Sequence, residues 1–212
     1  MVIKNKKHKS IIMKKSIGII GAGNIGKTVA RHLVNAGFSV TISNSSGPES
    51  LAGTVAELGN GAVAGTIQQA AAADIVLLAL PWGAVPGLAG VTDWTDKVVI
   101  DATNHFITFA PDFQLADLGG KASSQVVAGY VPGARVVKSF NTLYFKILEK
   151  NPQEAGGRRV MFLSGDDGAA KTDVAAVIDA IGFAPVDLGD LATSSKLQQP
   201  KQALASLNLI RL

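Results

Sequence analysis

The stretch Ser16-Ile17-Gly18-Ile19-Ile20-Gly21-Ala22-Gly23-Asn24-Ile25-Gly26 decides how the rest of the chain is read. Its first five residues form a short apolar run of strand length, and the residues that follow carry apolar side chains at helical spacing as far as Gly37. Each glycine between strand and helix has its own physical purpose. Gly21 permits the tight turn, Gly23 lets the backbone approach a pyrophosphate without a Cβ, and Gly26 allows the helix to pack closely on the sheet. The N-terminus of the helix then offers its unpaired N–H groups to the anion. The spelling alone is weak; a strand before it and a helix after it distinguish a dinucleotide loop from a glycine-rich turn that merely packs well.

Outward from this loop, short apolar runs alternate with alanine-rich amphipathic stretches, the pattern of repeated βαβ units and a parallel sheet. Strands are expected near Ser16 to Ile20, Phe38 to Ser43, Ala62 to Gly65, Ile75 to Leu80, Val98 to Asp101 and Val136 to Phe140, with helices in most gaps. Pro48 and Glu49 suit the first turn of a helix running to about Leu58. Residues 102–134 are irregular, with one helix expected around Ala122 to Gly129 and a substrate cleft as the segment's expected role. After Asn141 a helix, a strand near Val160 to Leu163, a helix from Ala169 to Ile181 and a short strand at Ala184 to Asp187 are expected. The expected fold is α/β, a Rossmann-type doubly wound, mostly parallel sheet. Residues 14–142 would be the nucleotide-binding domain, residues 143–212 a C-terminal α/β extension packed on the same sheet, and residues 1–13 a basic tail.

Charge and composition narrow the partners. Formal net charge is +4, but Lys4, Lys6, Lys7, Lys9, Lys14 and Lys15 precede residue 16 with no acidic residue among them, and without them 14 basic face 16 acidic residues. The basic excess therefore belongs to a tail, and no nucleic-acid partner is expected. Ile11-Ile12-Met13 is too short for the apolar core of a secretory signal, and Met13 itself offers an alternative start. The best spanning candidate, Ile75 to Leu80, stops at Pro81, so no membrane span is expected. The absence of cysteine removes disulfides and thiolate chemistry and fits a reducing cytoplasm. Leu204, Leu207, Leu209, Ile210 and Leu212 offer an apolar contact, either for a second copy in a homodimer or for the chain's own sheet.

The second strand normally ends in a carboxylate when NAD is preferred, because the acid binds the ribose hydroxyls and repels a 2′-phosphate. Here the position reads Ser43-Asn44-Ser45-Ser46, whose hydroxyl and amide groups donate to a phosphate, so NADP(H) is the expected cofactor. An ordinary Asn-Ser-Gly-Pro turn is the plainer reading of the same residues. Leu80-Pro81-Trp82 follows the fourth strand at the edge where ligands bind in such sheets, with Val85 expected to cover the adenine. Trp82 reads equally as packing at a helix start, and Trp94 reads as structural.

Asp101-Ala102-Thr103-Asn104 and Ser139-Phe140-Asn141-Thr142 end the fifth and sixth strands and should converge on the nicotinamide side. Asn104 and Asn141 are the candidate positioning residues for catalysis, and capping the following turn is the other reading of either asparagine. The histidines His8, His32 and His105 lack ligand spacing, so no metal site is expected. Neither Tyr130 nor Tyr144 has a lysine four positions on, so a Tyr/Lys proton donor is missing. That absence suits hydride transfer to a flavin-like ring, which demands positioning more than an acid. It equally suits a non-catalytic NADP(H)-binding redox sensor, or reduction of a carbonyl or imine with a proton taken from water.

At Ile19 to Gly26, Ile42 to Leu51, Asp74 to Trp82, Val98 to Asn104, Val136 to Thr142 and Phe183 to Leu191 the chain resembles the coenzyme F420-dependent NADP oxidoreductase family. It is also similar to the cytosolic reductase domains of the STEAP metalloreductases. Lys138-Ser139-Phe140-Asn141-Thr142 together with Pro185-Val186-Asp187-Leu188-Gly189 is the more specific part of the match. The resemblance implies an NADPH site at the glycine loop and at Ser43 to Ser46, nicotinamide against the end of the sixth strand, and F420 or a flavin as hydride partner. It departs from the family pattern at Ser46, where members often carry Arg, and at Asn141, where deazaflavin-using members commonly have His.

Overall fold

A computed structural model describes residues 15–212; the basic-tail expectation for residues 1–13 and the alternative start at Met13 lie outside them. The sheet is built from β1 (Ile17–Ile20), β2 (Val40–Ser43), β3 (Ala62–Ala64), β4 (Ile75–Leu78), β5 (Val98–Asp101), β6 (Arg135–Ser139), β7 (Gln153–Glu154), β8 (Gly157–Gly165), β9 (Ala184–Asp187) and β10 (Ile210–Arg211). The first six strands are all parallel, in the order β3-β2-β1-β4-β5-β6. This is a doubly wound order that reverses between β1 and β4, and it puts the carboxyl ends of β1, β4, β5 and β6 on one edge.

The helices are α1 (Asn24–Asn35), α2 (Ala52–Leu58), α3 (Ile67–Ala71), α4 (Ser123–Tyr130), α5 (Phe145–Leu148) and α6 (Gly168–Ala180). They cover both sheet faces because the strands alternate as period-2 elements. Ile17, Ile19, Val40, Ile42, Ile75, Leu77, Val98, Ile100 and Val137 pack with α1, α2 and α6. Ile20, Val76, Leu78, Val99 and Val136 pack on the other side with α3, α4 and Trp94. The Trp94 indole donates to Leu88 O at 3.1 Å, so its role is structural.

Beyond β6 the chain reverses. β8 pairs antiparallel with β6, Ser139 opposite Leu163, so residues 157–162 rise past the carboxyl end of β6. β9 extends the sheet parallel to β8, while β7 and β10 pair with its first residues. Buried Arg159 ties this wall together, pairing with Glu154 and donating to Asn208 Oδ1. The terminal segment thus joins its own sheet through backbone pairing at Ile210, whereas Leu207, Leu209 and Leu212 stay exposed.

Several elements depart from the sequence expectation. The helix starting at Pro48 opens as a 3-10 turn, Pro48–Leu51, before becoming α2, and Trp82–Leu88 is a 3-10 helix carrying Pro86. α3 sits between two strands closely spaced in sequence, started by a capping box in which Thr66 and Gln69 exchange side-chain and backbone hydrogen bonds. Among the described residues no helix is long and apolar enough to cross a membrane.

Candidate active site at the carboxyl edge

The glycine loop has the shape its sequence requires. Gly21 lies at φ +113°, and a Cβ there would fall 2.2 Å from Ala79 O. A Cβ on Gly26 would fall 1.9 Å from Gly21 O, so only glycine lets α1 start this close to the sheet. Gly23 differs: at φ −78° its conformation suits any residue, and nothing lies within 4 Å of where its Cβ would be. Neither backbone strain nor packing requires a glycine at position 23, and the open backbone there leaves room for a ligand. α1 has no side-chain cap and no acidic residue in its first turn, so its leading N–H groups are left for an anion. The loop thus fits a dinucleotide pyrophosphate.

Beyond β2 the four candidate residues separate. Ser43 is fully buried and donates its hydroxyl to Ile19 O at 3.0 Å, which corrects the expectation that it donates to a phosphate. Asn44 is spent on the turn: Oδ1 accepts from Ser46 N at 3.0 Å and Nδ2 donates to Ser50 Oγ at 2.9 Å. Ser45 and Ser46 are exposed. The carboxylate that would repel a 2′-phosphate is absent here, as its sequence shows.

At β4 the strand ends at Leu78, and Leu80 and Trp82 are half-buried while Pro81 is exposed. Val85 is 1% exposed and packs with Ile20 and Val76 in the core. Its side chain is therefore not available to cover an adenine, because the 3-10 helix turns it inward. Trp82 meets the His105 ring edge-on, centroids 5.9 Å apart.

The ends of β5 and β6 carry a buried polar network (Asp101, Lys138) that sequence reasoning did not single out. Both side chains are fully buried, with Lys138 Nζ 3.2 Å from Asp101 Oδ2 and 3.1 Å from Thr103 O. Asp101 also accepts from Thr103 N, Thr103 Oγ1 and Ser124 Oγ, at 2.9, 2.7 and 2.5 Å. Both Asp101 oxygens are thereby bonded and Lys138 holds two acceptors, which offsets the cost of burying the charges, and the pair pins the turn that presents Asn104 and His105. Burial, reinforced by the Lys138 charge against a weaker opposing pull from Asp101, lowers the His105 pKa below the ordinary histidine value, which favours the neutral ring.

Asn104 and Asn141 are brought together. Asn104 Nδ2 donates to Asn141 O at 3.2 Å, and Asn141 Nδ2 donates to Asn104 Oδ1 at 3.1 Å and to Gln198 O at 2.7 Å. Phe140, just before, sits at φ +63° and is 1% exposed, so its side chain belongs to the core. Ser139 donates to Phe162 O at 2.8 Å. Both side chains are committed inside the protein, leaving only their backbone to a ligand, unlike the expectation for the sixth-strand end. Gln198, in the 3-10 helix Ser194–Gln198, was missed from sequence; it is buried and accepts from Ser164 Oγ at 2.8 Å. Among the described residues no group of acidic and histidine side chains is arranged to hold a metal.

Comparison with known proteins agrees with this geometry. Residues 16–105 match the family model described as NADP oxidoreductase coenzyme F420-dependent. Metalloreductase STEAP3 of Rattus norvegicus is 27% identical over 185 residues, covering 86% of this chain. The chain spans 35% of that relative's length. Among solved structures, protein SMa0349 of Sinorhizobium meliloti has 41% identity and TM-score 0.88, covering 93% of this chain and 96% of its own. A candidate F420-dependent NADP-reductase of Arthrobacter sp. FB24 has 26% identity and TM-score 0.70, covering 86% of this chain and 87% of its own. With the glycine loop and the doubly wound order in agreement, residues 16–105 are similar to the coenzyme F420-dependent NADP oxidoreductase family, and the whole chain shares the Rossmann-like fold of its solved neighbours.

Proposed function

We propose that the chain binds NADP(H) along the carboxyl edge of the sheet and transfers hydride between its nicotinamide and a small acceptor of the flavin or deazaflavin type. The pyrophosphate lies over Gly21, Ala22, Gly23, Asn24, Ile25 and Gly26, the 2′-phosphate meets the hydroxyls of Ser45 and Ser46, and the nicotinamide reaches Asn104 and Asn141. The observation that supports this reading is the open space at Gly23 beside a helix start without a side-chain cap. When bound, the cofactor supplies the hydride; this chain's residues hold the rings in register and exclude water.

Side-by-side calorimetric titration with NADPH and NADH tests the reading. NADPH should bind more tightly; equal affinities would remove the assignment to Ser45 and Ser46, and binding of neither would remove the enzyme reading.

A redox sensor that binds NADP(H) without turnover is the second reading, favoured by one observation. The charged side chains at this edge, Asp101 and Lys138, are fully buried and bonded to each other and to Thr103 and Ser124, so neither is presented to a bound acceptor. NADPH oxidation with F420, a flavin or a carbonyl compound distinguishes the two: the enzyme turns over with one of them, and the sensor stays inert across the panel.

A further inference from the structure

Among the described residues, the buried side-chain atoms without a hydrogen-bond partner are His105 Nδ1, Ser123 Oγ and Asn141 Oδ1. Unmatched buried polar atoms are rare and call for an explanation. These three are not scattered. Asn141 bonds Gln198 O, the neighbouring Gln199 Oε1 accepts from Ser123 N, and His105 follows Asn104, which is doubly bonded to Asn141. All three therefore gather where the ends of β5 and β6 meet the segment around Gln198.

Asn141 is the most informative, because its neighbours dictate which way its amide points. Gln198 O is a main-chain carbonyl and can only accept, so the atom 2.7 Å from it must be the Asn141 NH2 group. The opposite corner of the amide is therefore the oxygen, whichever way an isolated asparagine would turn. That oxygen is buried, in a residue 7% exposed, and no donor of the described residues reaches it. An acceptor held in this way is complemented only by a group that brings its own hydrogen.

We infer that Asn141 Oδ1 accepts an N–H from the carboxamide of the bound nicotinamide, and so selects a cofactor whose ring carries an amide. The inference rests on the NADP(H) reading above, and adds the group that is recognised and the atom that recognises it. Asn104 also positions this acceptor, since its Oδ1 and Nδ2 are bonded to the Asn141 amide and main chain.

The test compares NADPH with the reduced 3-acetylpyridine analogue of NADP, which replaces the carboxamide NH2 with a methyl group and keeps a carbonyl. Calorimetric titration of the wild-type protein should show NADPH binding about tenfold more tightly, the range expected for leaving one buried acceptor unmatched. In Asn141→Ala the two ligands should bind within about twofold of each other. Equal binding of both ligands by the wild type would overturn the inference while leaving the NADP(H) site in place; binding of neither would overturn the site itself. A preference that survives in Asn141→Ala would assign the acceptor to another group. If that variant does not fold, Asn141→Leu, which keeps the side-chain shape without the acceptor, is titrated in its place with the same expected ratio.

Discussion

Replacing Gly23 with alanine should separate the fold from its ligand. The new methyl would meet nothing within 4 Å, and the backbone, at φ −78° and ψ −168°, already suits alanine. Two small effects on stability oppose each other. Restricting the unfolded chain contributes about 0.4–1 kcal/mol, and alanine is a poorer helix N-cap than glycine by a similar amount. Net stability should stay within about 0.5 kcal/mol. Binding should suffer, because the methyl stands where the pyrophosphate approaches the backbone. An overpacked contact costs about 1–3 kcal/mol, which weakens NADPH roughly 5- to 150-fold. Urea denaturation and calorimetry on the same sample read the two quantities. Gly26→Ala is the contrast: its methyl would fall 1.9 Å from Gly21 O, so the fold itself should weaken by several kcal/mol (~3). A folded Gly23→Ala protein with unchanged NADPH affinity would refute the assignment of the pyrophosphate to this loop.

Other consequences can be measured directly. Lys138→Met leaves Asp101 buried with three neutral donors and no cation, and should cost about 3 kcal/mol in urea denaturation. Adding Asp101→Asn removes the stranded charge and should restore part of that loss; a double variant no more stable than the single would contradict a charge-based cause. Both His105 and His32 have lowered pKa values, caused first by burial. The unfolded chain therefore takes up protons that the folded one resists, so stability is full above about pH 6.5 and falls as the solution is acidified below it. His105→Gln should flatten part of that slope in pH-dependent thermal melts. Ser46→Arg adds a fork of donors beside an exposed turn and should tighten NADPH several-fold (~5) while leaving NADH unchanged; equal gains for both would show that the 2′-phosphate is not bound there.

What the sequence made legible follows from how local each requirement is. The loop from Gly21 to Gly26 was readable because its glycines answer to contacts within one strand, one turn and one helix. Ser43 was not separable from Ser45 and Ser46, since a shift of one residue in the register of β2 decides which hydroxyl turns inward. Val85 lay in an apolar stretch that suits either a ligand or a core, and only the 3-10 geometry of Trp82–Leu88 decided between them. The pair of Lys138 and Asp101 bridges 37 positions, so nothing in either neighbourhood announces the other. Gln198 is more distant still, and its contribution to Asn141 is a main-chain carbonyl that any residue would supply. At α3 a local signal stood unread, since Thr66 and Gln69 form a capping box directly before an alanine run.

The bond from Asn141 to Gln198, with Ser206 N donating to Thr142 O nearby, also bears on how the protein can be inherited. Residues that would touch the nicotinamide and those that orient them stand 57 positions apart. A recombination breakpoint anywhere between them would give Asn141 a foreign segment, which supplies the accepting carbonyl only where its backbone follows the 3-10 turn Ser194–Gln198. A segment whose backbone takes another path would leave the Asn141 amide without that partner, so the shapes of the two stretches should pass through evolution as one unit.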